Sequence, residues 1–71
     1  MVSDLEQEIL EELHISGNLS PSLLAARIDR HPKSVSRSLA QLEKEDFVVN
    51  LGGVWALTVS GTRAAQDCLR D

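Results

Sequence analysis

At 71 residues the chain has room for one domain, residues 1–71, and a core of that size supplies only about 3–5 kcal/mol of net stability. It is 42% hydrophobic and 25% charged, as an ordinary globular domain is, and no apolar run is long enough to span a bilayer, so no membrane partner is expected. The net charge of −4 argues against nucleic acid when taken alone.

That average hides a split. Residues 1–13 carry Asp4, Glu6, Glu8, Glu11 and Glu12 and no base, whereas residues 27–38 carry Arg27, Arg30, Lys33 and Arg37 against Asp29 alone. Salt screens charges beyond roughly 10 Å, so a ligand feels the local field of the second segment more than the molecular total. Acids dominate and Arg outnumbers Lys, a balance that suits a high-salt cytoplasm. Cys68 is the only cysteine, so no intramolecular disulfide forms. A lone thiol, with no basic segment ahead of an apolar signal core, points to a reducing, cytoplasmic setting.

Ser3-Asp4-Leu5-Glu6 has the spacing of a capping box and opens a first helix. Leu5, Ile9 and Leu13 recur at helical spacing, with Val2 and Leu10 flanking the stripe, so the helix runs from about Asp4 to His14. Early acids suit the positive end of its dipole, and His14 suits the other end. Gly17, in Ser16-Gly17-Asn18, can take the left-handed conformation that closes helices. Leu19 is extended, a very short strand at most.

Ser20-Pro21 starts the second helix, a hydroxyl at the N-cap and Pro where no N–H is needed. Leu24, Ala25 and Ile28 form its buried stripe, with Leu23 at the edge, and it ends near Asp29-Arg30. His31-Pro32 opens the third helix. Val35, Leu39 and Leu42 form a core-facing row, while Lys33, Ser34, Ser36, Arg37, Ser38 and Gln41 between them are polar. That helix ends around Glu45-Asp46.

Phe47-Val48-Val49 and Val54-Trp55-Ala56-Leu57 are β-prone runs. Asn50, Gly52 and Gly53 between them permit the positive φ angles of a hairpin turn. Thr58 caps a last helix over Val59–Leu69, where Gly61 costs about 1 kcal/mol against Ala and loosens the first turn. The fold class is therefore α+β and mostly helical: a three-helix core, a two-stranded β-hairpin and a C-terminal helix.

Two helices joined by a few residues, the second with a polar face, make a helix-turn-helix, and a following hairpin makes it winged. Leu24-Ala25, Ile28, Val35-Ser36-Arg37, Leu39, Leu42-Glu43, Phe47-Val48 and Leu57-Thr58 with Gly61 resemble the winged helix-turn-helix transcription regulators over about residues 5–65. The likeness is greatest to short archaeal and phage-repressor-like members, and more distant to the MarR-type family.

The resemblance implies double-stranded DNA binding through the third helix in the major groove, in an archaeal or viral regulator that represses rather than activates. The N-terminal residues of a recognition helix face base edges, which here are Pro32, Lys33, Ser34, Ser36 and Arg37. Arg37 can donate two bonds to guanine O6 and N7. Ser20, Ser22, Arg27, Arg30 and His31 lie where backbone phosphates pass, and phosphate contacts position while base contacts specify. The hairpin tip, Asn50-Leu51-Gly52-Gly53, departs from the family pattern because it carries no charge. Asn50 is then its one phosphate contact, and Arg63 is a substitute on the last helix.

Blander roles stand beside these. A charged helix face is usually only a solvated one. His31 before a Pro is a cap or turn residue, Trp55 belongs to the core or its rim, and Cys68 is a packing residue with only Arg70 nearby to lower its pKa. His14, His31 and Cys68 lack metal-ligand spacing, so no metal and no cofactor is expected. No Gly-rich phosphate loop follows a strand, no carboxylate pair is expected in a cleft, and the domain is too small to enclose a substrate, so no enzyme is expected. A homodimer is expected through the first and last helices, because Leu10, Ala64, Cys68 and Leu69 exceed the needs of one small core. The rival reading is a winged-helix protein-interaction module. Single-stranded nucleic acid is disfavoured by having only Phe47 and Trp55 as aromatics. Nothing names a small-molecule effector.

Overall fold

A computed structural model of the chain describes residues 3–69; the expectations placed on Val2 and Arg70 lie outside those residues. The order is α1 (Asp4–Ser16), α2 (Pro21–Ile28), α3 (Pro32–Lys44), β1 (Val48–Asn50), β2 (Trp55–Leu57) and α4 (Val59–Leu69).

The helix starts follow from their caps. The Ser3 hydroxyl accepts the Glu6 N–H at 3.2 Å, while Glu6 Oε1 accepts the Ser3 N–H at 2.9 Å, which completes the capping box. Ser20 Oγ accepts the Leu23 N–H ahead of Pro21. His31 caps α3 by accepting the Lys33 N–H on Nδ1 at 3.1 Å. Thr58 Oγ1 accepts the Gly61 N–H at 3.0 Å at the head of α4.

The ends are set differently. Gly17, at φ 85°, stops α1 two residues later than the expected His14. Asp29 closes α2 in the left-handed conformation, and Asp46 also takes a positive φ after α3. Both non-glycine turns are closed by backbone bonds five residues back: the Arg30 N–H reaches Ala25 O at 3.0 Å, and the Phe47 N–H reaches Leu42 O at 2.9 Å. Phe47 thereby belongs to the end of α3 rather than to the first strand.

The hairpin pairs Val48 with Leu57, Val49 with Ala56 and Asn50 with Trp55. Gly52 and Gly53 supply its positive φ angles, and Leu51 N–H closes it on Val54 O at 2.7 Å. Leu19 does form a one-residue strand, exchanging backbone bonds with Trp55 at 3.2 and 2.8 Å. The wing is thus stitched to the loop between α1 and α2.

Ile9, Leu10, Leu13, Leu19, Leu24, Ala25, Val35, Leu39, Leu42, Val48 and Ala65 make one buried cluster, with Leu5, Ile28, Phe47, Trp55, Leu57 and Ala64 packed around it. Leu10 was expected at a subunit interface but is fully buried here, because α1 packs across α4 as well as α2 and α3. Gly61 reverses a second expectation. Its buried Cα lies against the Phe47 carbonyl, where an added Cβ would fall 1.8 Å from the oxygen, so the glycine admits a close approach and does not loosen the turn. No helix among the described residues is long and apolar enough to cross a membrane.

Candidate nucleic-acid interface

The helix-turn-helix is α2, the turn Asp29–His31, and α3. Val35, Leu39 and Leu42 anchor α3 with no exposed surface, which fixes the rotation of the helix about its axis. At roughly 100° per residue, Lys33, Arg37 and Lys44 fall within about 40° of one another on the opposite side. Ser34 and Ser36 stand on the two shoulders of that row. Pro32, Lys33, Ser34, Ser36 and Arg37 are all exposed, as the sequence pattern requires. Among the described residues, Lys33, Arg37 and Lys44 take part in no ion pair.

Lys44 lies beyond the first turns of the helix, where a recognition helix meets base edges, so the sequence pattern does not single it out. The same helical period that picks out Lys33 and Arg37 reaches it three turns from the start.

The expected phosphate contacts are dispersed over several elements. Ser22 is exposed on the first turn of α2, and Arg63 is exposed on α4. The oxygens of Ser20 and Asn50 are engaged locally: Ser20 Oγ in its cap, and Asn50 Oδ1 with the Gly53 N–H at 2.9 Å inside the wing turn. His31 likewise uses Nδ1 as a cap. The Ser20 hydroxyl still has its O–H to donate, Asn50 keeps its side-chain NH2 and His31 keeps Nε2 for an outside partner.

Arg27 and Arg30 are drawn toward α1. Arg27 Nε lies 2.7 Å from Glu12 Oε2. Arg30 grips Glu8 with two parallel bonds, Nε to Oε1 and Nη2 to Oε2, both 3.0 Å. The basic segment is therefore partly neutralised by the acidic first helix. No local pattern announces these contacts, which join residues 15 and 22 positions apart. The only signal was the opposite charge of the two segments.

The bond from Arg30 holds the Glu8 carboxyl below its ordinary pKa, against the opposing effect of burial. Glu12 is lowered by the Ser16 hydroxyl first and by Arg27 second. Arg30 is raised, chiefly by its bonds to Glu8. Glu8, Glu11, Glu12, Ile15, Arg27 and Ile28 line an open cleft of about 280 Å³ between α1 and α2. Burial pushes the half-buried Cys68 thiol up, and the Glu11 and Asp67 carboxylates add to the shift, which opposes thiolate formation and matches a packing role. Among the described residues, no three His, Cys, Asp or Glu side chains converge on a metal position.

A recognition helix held by its apolar row, an exposed basic row opposite, and a hairpin stitched behind it define a winged helix-turn-helix. The profile of the MarR family matches residues 2–50, more than half of the sequence. The chain belongs to the MarR family, whose members are DNA-binding transcription regulators rather than enzymes.

Solved structures agree. Ligand-free NadR is 26% identical with a TM-score of 0.90, over 97% of this chain and 53% of that one. The MarR family protein Rv2887 of Mycobacterium tuberculosis, in complex with DNA, is 25% identical with a TM-score of 0.91, over 97% and 54%. The reduced form of MarR from E. coli shares the fold, with a TM-score of 0.90 at 16% identity, over 97% and 52%. The chain thus spans about half the length of the structures it matches. No curated protein matches it.

Proposed function

We propose that this chain binds double-stranded DNA as the reading domain of a transcription regulator, with α3 in the major groove. The observation that carries the reading is the exposed row Lys33, Arg37 and Lys44, which has no anionic partner among the described residues while both basic residues nearest α1 have one. A cation left without an internal partner on a groove-sized helix favours an external polyanion.

Arg37 and Lys33, flanked by Pro32, Ser34 and Ser36, are assigned to base edges, and Lys44 extends the same row. Ser20, Ser22, His31, Asn50 and Arg63 are assigned to phosphates. Arg27 and Arg30 are assigned there too, each at the expense of its carboxylate. The chain acts as a homodimer. Its apolar side chains Ile15 on α1 and Val59 and Leu69 on α4 are exposed, and these support association through those helices.

The test is equilibrium binding to duplexes selected from a random pool, with scrambled duplexes for comparison. Affinity should fall linearly on a log–log plot against salt. Arg37→Ala should lose about 1–3 kcal/mol of discrimination between the two duplexes, whereas Arg63→Ala should weaken both alike. Unchanged affinity when Lys33 and Arg37 are both replaced by Ala would overturn the assignment.

A further inference from the structure

We propose that Glu8 holds Arg30 in the free chain and yields it to a DNA phosphate on binding, so that α1 limits how tightly the domain grips the backbone. The proposal rests on the DNA-binding reading above and adds to it a built-in competitor.

The two ion pairs that reach α1 differ in the ways that matter. Glu12 is 20% exposed and is held twice, by Ser16 and by Arg27. It is a tether between α1 and α2. In the Glu8–Arg30 pair the side chains are 40% and 43% exposed. A phosphate oxygen can therefore reach the guanidinium without disturbing any packed surface. The Arg30 fork, with Nε and Nη2 each 3.0 Å from one carboxylate oxygen, is the arrangement that a phosphate also satisfies.

The backbone permits the exchange. The Arg30 N–H is anchored on Ala25 O at 3.0 Å, so the turn keeps its shape whichever anion the side chain holds. Arg30 is also next to His31, the cap of α3. It stands at the end of the recognition helix where base reading is assigned, which is where the phosphate backbone must pass. Asp4 and Asp29 add to the negative field around Arg30, but neither bonds to its side chain among the described residues. Glu8 is thus the competitor with direct geometry. An exposed pair is weak, so the latch trims affinity without abolishing it.

The test is a double-mutant cycle read on a random-sequence duplex of about 24 base pairs, since phosphate contacts act on every sequence alike. Glu8→Gln should tighten binding about two- to fivefold at low salt, the range of one exposed ion pair. That gain should vanish in the Arg30→Ala background, and Arg30→Gln serves if the alanine variant loses its helical circular dichroism. A gain that persists without Arg30 would show that Glu8 acts only through net charge, and would overturn the proposal. So would an unchanged affinity in Glu8→Gln. Failure of the unmutated chain to bind any duplex would instead overturn the DNA reading itself, which separates the two failures.

Discussion

Gly61 makes its contribution through what it lacks. The Phe47 carbonyl that lies against it already accepts the Thr58 N–H at 3.1 Å, so the strand end, the cap and the first turn of α4 meet at one oxygen. An alanine here would recover about 1 kcal/mol of helix propensity and lose more, because its Cβ meets the carbonyl oxygen at 1.8 Å and its carbon at 2.8 Å. Overpacking of that kind costs about 1–3 kcal/mol at the least. Gly61→Ala should therefore lower the thermal midpoint by about 5 °C or more, measured by circular dichroism, where propensity alone forecasts a rise. The close approach was not legible in the sequence, since a glycine in a helix looks the same whether its open side faces water or a carbonyl. Arg37 was legible, because its place opposite Val35, Leu39 and Leu42 follows from spacing alone. Arg30 was half legible: its charge and its position in the turn were evident, but its partner is 22 residues away.

At the scale of elements, local chemistry marked where helices begin. Ser3 with Glu6, Ser20 with Pro21, His31 with Pro32 and Thr58 each satisfy free N–H groups by side chains a few residues away. The ends of α2 and α3 are closed locally as well, with Asp29 and Asp46 at positive φ and the Arg30 and Phe47 N–H groups reaching back to Ala25 O and Leu42 O, and the sequence pattern places both ends within one or two residues. Contact between α1 and α2 brings an acidic and a basic element together through Glu12–Arg27 and Glu8–Arg30, which gives the fold a pH dependence of definite sign. Both carboxyls have folded-state pKa values below their ordinary value of 4.5. Their stabilisation is therefore fully present above that value and is lost as the pH falls through the lowered ones. Because Arg27 is nearly half exposed, solvent screening leaves the Glu12 pair about 0.2–1 kcal/mol. The urea midpoint should fall between about pH 5 and pH 3, and Glu12→Gln should start lower at neutral pH and fall less over that interval. An equal fall in both proteins would mean that other carboxylates dominate.

At the scale of the whole molecule, the dimensions bear on the proposed homodimer. The domain measures 27 × 23 × 21 Å, whereas successive major-groove faces on one side of a duplex recur about every 34–36 Å. On the proposed reading one copy would therefore reach one half-site, and the 13 residues of α3, about 20 Å of helix, would fill that groove without reaching the next. The charge distribution works toward the same end. On the same reading the acids of α1 would repel DNA, while the exposed row of α3 has no ion-pair partner among the described residues, which favours one orientation of each copy. With each copy so oriented, the proposed homodimer should read two half-sites related by a two-fold axis, with a fixed spacing between them. Inserting about five base pairs, half a helical turn, at the centre of a pool-selected site turns one half-site to the far side of the duplex. Affinity should then drop to that of a single half-site, with the dimer held through one of its two copies. Equal affinity for the original and the expanded site would show that the copies bind independently, and would remove the two-fold arrangement from the account of how this domain finds its sequence.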